Sequence, residues 1–559
     1  MKSDLRNNII KISGIFCLIL LKICLFNIYL YNGLIISSFI SHPYAFWCFW
    51  LPKIAAAMVI TFLCVFIHNK LGVTTFLIVL DIWIEANLVY FRCNGLFIDY
   101  YALSMTGNMN GVWDSVKIFI FSKDIIFALL TGAIIGMLYI FPSSFKQRER
   151  YLILIISIVM AFLLQITANY FHYKTEPETK LQLVQCTQEQ RFKAWCHEVI
   201  PVKDNSVFHV LIWDICDFCT LKQKEYSLSD DDIKQISPFI KSDVLCNTCK
   251  NKFIIIIVES MEGWVVQPDI TPNIYKLAYS NQSLFCPHVK TQIKQGTSSD
   301  GQLIVNTGIL PINRGAWSFL YSDNKFPALT SMVNKSVSLD PSDKKLWNKY
   351  NYIHAFGIKE DIQTETADSI LFKNVYEKIK NGYDGIWTIT MSTHAPFTFY
   401  NLKNNYDADM PETMRAYINS FNQLDCAIGC LLDSMKINDY MDEYTILITG
   451  DHTILPNDTR KEFQSYCSSH DIYYDNIKEY CPLIIHSPLI NDNIVISSEC
   501  LQMDIYPTML NLLKCQSVWK GFGIDLLNYN HTQRYISEEK ANELSDKIIR
   551  AYYFNTLTN

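Results

Sequence analysis

The sequence predicts an α-helical membrane domain of five transmembrane helices, followed by an α/β domain. Three observations carry this. Long apolar runs crowd into the first 171 residues. From residue 251 onward, continuous β-branched runs end in polar residues, as buried parallel strands do. The composition is 50% hydrophobic and only 18% charged, below the roughly one quarter usual for soluble chains. Mean hydropathy is +0.10. A net charge of −6 with no basic tract gives no footing for nucleic acid.

The spans fall at about 10–31, 46–68, 71–91, 118–141 and 151–171, each near the roughly 20 residues that cross a bilayer. Pro52-Lys53 interrupts the second early, so its clean part is short. The first is too long for a cleaved signal peptide, and no small-x-small site follows it. Basic residues set the orientation. Lys2 and Arg6, His68 and Lys70, and Lys146, Arg148 and Arg150 share one side if there are five spans. That side is cytoplasmic, and everything after Phe171 lies outside. Asp81 and Glu85 sit one helical turn apart in the third span, as functional carboxylates or as polar bundle residues.

Residues 172–250 form an extracytoplasmic linker region with six cysteines, including Cys216-x-x-Cys219 and Cys246-x-x-Cys249. In a reducing compartment such pairs suggest a zinc ribbon; outside it, disulfides are favoured. Connectivity is not fixed by the sequence. Residues 251–525 carry the α/β pattern. A helical stretch at 411–437 reads as a covering helix. Residues 526–559 form a polar C-terminal tail in which Ser537-Glu538-Glu539 opens a short helix.

Chemistry gathers at three strand ends. Phe253–Val258 leads to Glu259, Tyr444–Thr449 leads to Gly450-Asp451-His452, and Ile386–Met391 leads to Ser392-Thr393-His394. Ligands collect at the carboxyl ends of such strands. Oxygen and nitrogen donors together make a hard-to-borderline metal site. Between them, Gly296-Thr297-Ser298-Ser299-Asp300-Gly301 sets three hydroxyls at the start of a predicted helix over 302–307. A hydroxyl there faces free N–H groups and a dipole that favour an anion. His486, at the end of a further strand, reads as structural.

In order, Val258-Glu259-Ser260, Gly296-Thr297-Ser298-Ser299-Asp300, Trp347-Asn348-Lys349, Thr393-His394-Ala395-Pro396-Phe397, Gly450-Asp451-His452 and Gln502-Met503-Asp504-Ile505-Tyr506-Pro507-Thr508 form a set. This set resembles the lipoteichoic acid synthase type of phosphoglycerol transferase, in the sulfatase-like branch of the alkaline phosphatase superfamily. The resemblance covers the motifs of residues 250–525 and, in architecture, the membrane part.

It implies a metal held by Glu259, Ser298, Asp451 and His452. The ion is one divalent cation, manganese first, with magnesium or zinc as alternatives. The family's nucleophile position, counted from Gly296 and from Asp300, falls on Ser298, where the synthases use threonine; Thr297 is the runner-up. His394 matches a histidine on the phosphoryl or leaving group. Trp347 and Lys349 match residues that hold the glycerophosphate head. Lysine replaces the family's arginine, losing its fork, and Asp340 stands where a histidine is frequent.

The implied activity moves a phosphoglycerol headgroup from a phospholipid donor to a glycan or glycolipid acceptor of the cell envelope, through a phospho-serine. The implied location is the cytoplasmic membrane, with the catalytic domain extracytoplasmic. The alternatives are a phosphoethanolamine transferase, a sulfatase-like hydrolase, or a non-catalytic envelope sensor or assembly protein.

Overall fold

Apolar runs become long helices early in the chain and buried strands later. The computed structural model describes residues 2–31, 45–67, 69–94, 97–98, 101–102, 105, 116–140, 145–175, 226–241, 247–400, 409–455, 457–474, 477–531 and 534–557. Cys216, Cys219 and Cys246 lie outside them. The chain forms two units, 1–100 with 119–223, and 101–118 with 224–559.

The first unit contains α1 (Lys2–Tyr31), α2 (Ala45–Phe66), α3 (Lys70–Asn94), α4 (Ile125–Ile140) and α5 (Gln147–Thr175). Helix α2 packs along α5, and α1 packs against α2 and α4. Their shared core includes Ile19, Ile23, Phe26, Ala57 and Phe127.

Four stretches among the described residues are long and apolar enough to cross a membrane: Arg6–Tyr29, Lys70–Arg92, Ser122–Ile140 and Gln147–Ala168. The expected second span lies on α2, which is 22 residues long but is not among these four. Its apolar part is Trp50–Phe66, with Pro52 inside the helix and Lys53 fully buried. Asp81 of α3 pairs with Lys22 of α1, which also donates to Thr131 of α4. A carboxylate in an apolar bundle thus gains the partner that it needs. Arg92 closes a two-pronged pair with Asp124 at 2.6 and 2.8 Å.

The second unit is a mixed sheet with helices on both faces. Its strands are β1 (Lys252–Val258), β2 (Ser283–Lys290), β3 (Ser336–Asp340), β4 (Glu360–Gln363), β5 (Gly385–Ile389), β6 (Tyr444–Gly450), β7 (Cys481–His486), β8 (Ile494–Val495) and β9 (Cys500–Leu501). The order is β4-β3-β5-β1-β6-β7-β2-β8, with β9 against β2. Strand β7 runs antiparallel to both of its neighbours, β6 and β2. The five strands from β4 to β6 are parallel.

Both faces of β1 are buried, which is why its sequence does not alternate. Phe253, Ile255 and Ile257 face one core with helix α7 (Thr297–Thr307), α11 (Ile505–Leu512) and α12 (Glu538–Arg550). Ile254, Ile256 and Val258 face the other, with α6 (Pro272–Ala278), α8 (Asp368–Lys380), α9 (Glu412–Ile437) and α10 (Asn457–Ser469). Helix α9 is the expected covering helix, burying Phe421, Leu424 and Ile428. Ser537 caps α12 by accepting from Lys540 N at 3.2 Å. The helix then buries Ala541, Leu544 and Ile548 in the first core. His486 sits in hydroxyl contacts, with Nδ1 3.1 Å from both Ser280 Oγ and Ser283 Oγ.

Candidate active site

Register brings the first two strand ends together. Val258 of β1 pairs with Gly450 of β6, so Glu259 and Asp451 emerge side by side. On the other flank β1 pairs with β5, whose exit carries Thr390 and Thr393. Thr390 Oγ1 accepts from Glu259 N at 3.2 Å, and Thr393 Oγ1 donates to Glu259 O at 2.8 Å. These hydroxyls fix the backbone that presents the carboxylate.

One ligand atom each from Glu259, Asp451 and His452 lies within 4.8 Å of the others, and all three residues are buried. His452 Nε2 is 3.5 Å from Glu259 Oε1 and 3.5 Å from Asp451 Oδ2. Ser298 completes the group. Its Oγ donates to Glu259 Oε2 at 3.3 Å and lies 3.1 Å from His452 Nε2.

Helix α7 delivers that serine. It begins at Thr297, so Ser298 sits in its first turn. The turn before it closes on Asp300, whose Oδ2 accepts from Lys294 N at 2.8 Å and from Gly296 N at 2.9 Å. A Cβ on Gly296 would meet the Asp300 carboxylate at 2.1 Å. A Cβ on Gly301 would meet Asp451 O at 2.5 Å, so the helix rests directly on the strand end that carries Asp451. Thr297 is less buried than Ser298 and holds φ at 34°.

The electrostatics are those of crowded acids. Burial and then the Glu259 charge push Asp451 up to about 7. Burial also pushes Glu259 up, but His452 and His394 outweigh it and hold the carboxyl below its usual range. Burial pushes His452 down; Asp451 and Glu259 overcome that and raise it. Asp300 is raised to about 7 by burial. Asp451 Oδ2 is buried without a hydrogen-bond partner. Two carboxylates, an imidazole and an orphaned acceptor around one point fit a divalent cation.

The remaining expected residues lie at the same sheet edge. His394 is half-buried, with Nδ1 2.8 Å from Ala395 O, and its charge acts on Glu259. Trp347 has a left-handed backbone, φ 52°, and stands edge-on to Phe319 at 6.5 Å. Asn348 Nδ2 donates to Ser318 O at 2.7 Å, and Ser318 Oγ donates to Ser299 Oγ at 3.2 Å. The Trp347 segment is therefore tied to the turn that carries Ser298.

Lys349 is buried rather than open. Its Nζ lies 2.8 Å from Asp340 Oδ2 and 3.2 Å from Asp361 Oδ1. Lys344 also reaches Asp361, at 3.1 Å. The two residues that depart from the family pattern, Asp340 and Lys349, are thus partners of each other.

Several supports carry no signal of their own in the sequence. Ser260, at φ 60°, donates its N–H to Asp451 Oδ1 at 2.9 Å and its hydroxyl to Glu259 Oε1 at 2.9 Å. Tyr417 OH donates to Ser260 O at 2.8 Å. Gln502 Nε2 donates to Asp451 O at 2.9 Å. Ser260 and Gln502 stand inside motifs that the sequence singles out, which was the available clue.

An α/β domain with a hydroxyl, two acids and an imidazole at its strand ends is of the sulfatase-like class. The family described as Sulfatase matches residues 314–515, and the Lipoteichoic acid synthase N-terminal domain matches residues 1–187. The chain is a lipoteichoic acid synthase-like member of the sulfatase-like superfamily. It is 21% identical over 372 residues to lipoteichoic acid synthase 2 of Bacillus subtilis, covering 59% of this chain and 56% of that one. It is 21% identical over 502 residues to lipoteichoic acid synthase of Staphylococcus saprophyticus, covering 81% and 74%. The match thus spans little more than half the length of the Bacillus relative. Among solved structures, the lipoteichoic acid synthase LtaP from Listeria monocytogenes overlaps 59% of this chain and 99% of its own, with a TM-score of 0.46 and 18% identity.

Proposed function

We propose that this protein is a membrane-anchored, metal-dependent transferase that moves a phosphoglycerol headgroup from a phospholipid to a cell-envelope acceptor. The observation that carries the reading is the position of Ser298 Oγ, within hydrogen-bond reach of both Glu259 and His452. A divalent cation held by Glu259, Ser298, Asp451 and His452, manganese first, would supply Lewis acidity and a lowered serine pKa.

The residues supply the rest. Ser298 Oγ attacks the lipid phosphorus and passes its proton toward Glu259. His394 protonates the departing diacylglycerol oxygen, leaving glycerophosphate on Ser298. An acceptor hydroxyl then displaces the serine, giving its proton to His394 while Ser298 recovers its own from Glu259, which regenerates the enzyme. The α7 N-terminus favours the phosphoryl charge throughout. Trp347 flanks the headgroup.

The same reading places five spans in the cytoplasmic membrane and residues after 171 outside, close to lipid donors. A reporter fused after residue 175 then works only outside the cytoplasm, and one at 147 only inside. Activity of both fusions in the cytoplasm would refute the topology.

A second headgroup is favoured by one observation. Lys349 is held by Asp340 and Asp361, so it offers no free cation to a glycerophosphate head, and a headgroup that brings its own cation, phosphoethanolamine, is the second reading.

Intact mass spectrometry of the full chain, with lipid and no acceptor, separates the two. A glycerophosphate adduct on Ser298 supports the first reading, and a phosphoethanolamine adduct supports the second. An adduct on Thr297, or turnover with Ser298→Ala, would sink both. Chelation should abolish the adduct, and added manganese should restore it.

A further inference from the structure

The segment entering β1 crosses the segment leaving α11 far from the catalytic edge. Thr248 and Gln516 form an antiparallel bridge and exchange both backbone hydrogen bonds, each at 2.8 Å. The next facing pair, Cys249 and Cys515, is therefore a non-hydrogen-bonded pair. Their amides confirm it: Cys249 N donates to Met332 O and Cys515 N to Leu510 O, not to each other. In such pairs the Cα atoms approach to about 4.5 Å and the side chains lie on one face. Disulfides span roughly 4.4–6.8 Å between Cα atoms. Both residues are free thiols here, Cys249 half-buried and Cys515 buried, and the two thiols are in hydrogen-bonding contact.

We infer that Cys249 and Cys515 are a disulfide site, closed when the domain is exported. This rests on placing the α/β domain outside the cytoplasm, where disulfides persist. The contact with Cys515 lowers the Cys249 thiol pKa and raises that of Cys515. Cys249, the more accessible of the two, is thus the attacking sulfur. Its thiolate attacks an external disulfide oxidant and forms a mixed disulfide, releasing one oxidant thiol. Cys515 then attacks the Cys249 sulfur and releases the second. Two protein thiols lose two electrons and two protons, and the oxidant leaves as a dithiol.

The bridge would enclose the whole site. Glu259, Ser298, His394, Asp451, His452 and Gln502 all lie between residues 249 and 515. Long loops are those that a crosslink constrains most in the unfolded chain.

The test uses the full chain in intact cells. A membrane-impermeant maleimide is applied first; Cys426 and Cys430, both exposed on α9, report the side of the membrane. The protein is then denatured without reductant, labelled with a second maleimide, and mapped. The expected result is outside labelling of Cys426 and Cys430, with a peptide joining Cys249 to Cys515 that reductant splits. Outside labelling with Cys249 and Cys515 both recovered as labelled thiols, or bridged elsewhere, would overturn the inference. No outside labelling would instead overturn the extracytoplasmic reading, and the bridge with it. Cys515→Ser should leave Cys249 open to the second maleimide; if that variant does not fold, the map of the unaltered chain decides.

Discussion

Two clusters stand at the carboxyl edge of one sheet, and they handle buried charge in opposite ways. At the ends of β1 and β6, Glu259 and Asp451 face each other with a single imidazole between them, and Asp451 Oδ2 is orphaned. On β3 and β4, Asp340, the last residue of its strand, and Asp361, the second of its own, share Lys349, with Lys344 behind. The first is an incomplete electrostatic arrangement that asks for a cation. The second supplies its own. Buried carboxylates alone therefore do not mark a metal site; the missing counter-charge does.

The largest expected effect breaks the first cluster. Ser298→Ala should cut turnover by on the order of a thousandfold or more, about 4 kcal/mol in barrier, measured with lipid donor under saturating metal. Thr297→Ala should stay near the unaltered rate. Comparable losses from both would remove the distinction between nucleophile and neighbour.

Lys349→Ala breaks the second cluster. It leaves two buried carboxylates without their cation, so stability should fall by about 3–5 kcal/mol. Thermal unfolding of the full chain checks this. Unchanged stability with a raised KM would mean that Lys349 serves substrate rather than its aspartates.

A third residue tests burial without a metal. Asp368, at the start of α8, accepts from Ser392 Oγ at 2.5 Å and from Tyr400 OH at 2.8 Å, and burial raises it to about 6. The folded carboxyl keeps its proton up to about 6, whereas the unfolded one releases it near 3.8. Its stabilising contribution is full below the lower value and is lost as pH rises through the upper one, on the order of 2–3 kcal/mol. Asp368→Asn should remove that slope from unfolding measured between pH 4 and pH 7, within about those limits. An unchanged slope would exclude this group.

The smallest effect sharpens the contrast. Asp451→Asn relieves repulsion with Glu259 while its amide oxygen still accepts from Ser260 and His452. The metal-free protein should gain about 1 kcal/mol even as activity is lost. A loss of stability would place Asp451 with the self-neutralised cluster.

The first cluster was legible because its parts sit where sequence patterns end. Unbroken β-branched runs fix the strands, and strand polarity sends Glu259, Asp451 and His394 to one edge. The second was not. Nothing in local spacing joins residues 340, 349 and 361, which meet only because β3 and β4 are neighbours. The motif alone assigns Lys349 to the headgroup, and its aspartate partners come only with the fold. The long apolar helices were legible in position, α2 included, whose 22 residues run over Ala45–Phe66. Pro52 does not end that helix, and Lys53 lies inside its apolar part, Trp50–Phe66. Ser260 and Gln502 belonged to visible motifs, yet their work depends on backbone atoms that no side-chain pattern reveals.

Gly301 carries a last consequence. Helix α7 rests on the backbone of Asp451 with no room for a methyl group. The spacing between the start of α7 and the Asp451 backbone is therefore set by main chain against main chain, not by adjustable rotamers. Even alanine there would act as a shim, lifting Ser298 away from Glu259 and His452 without removing any side chain of the cluster. A one-carbon change outside the cluster would thus leave its members all present and out of alignment.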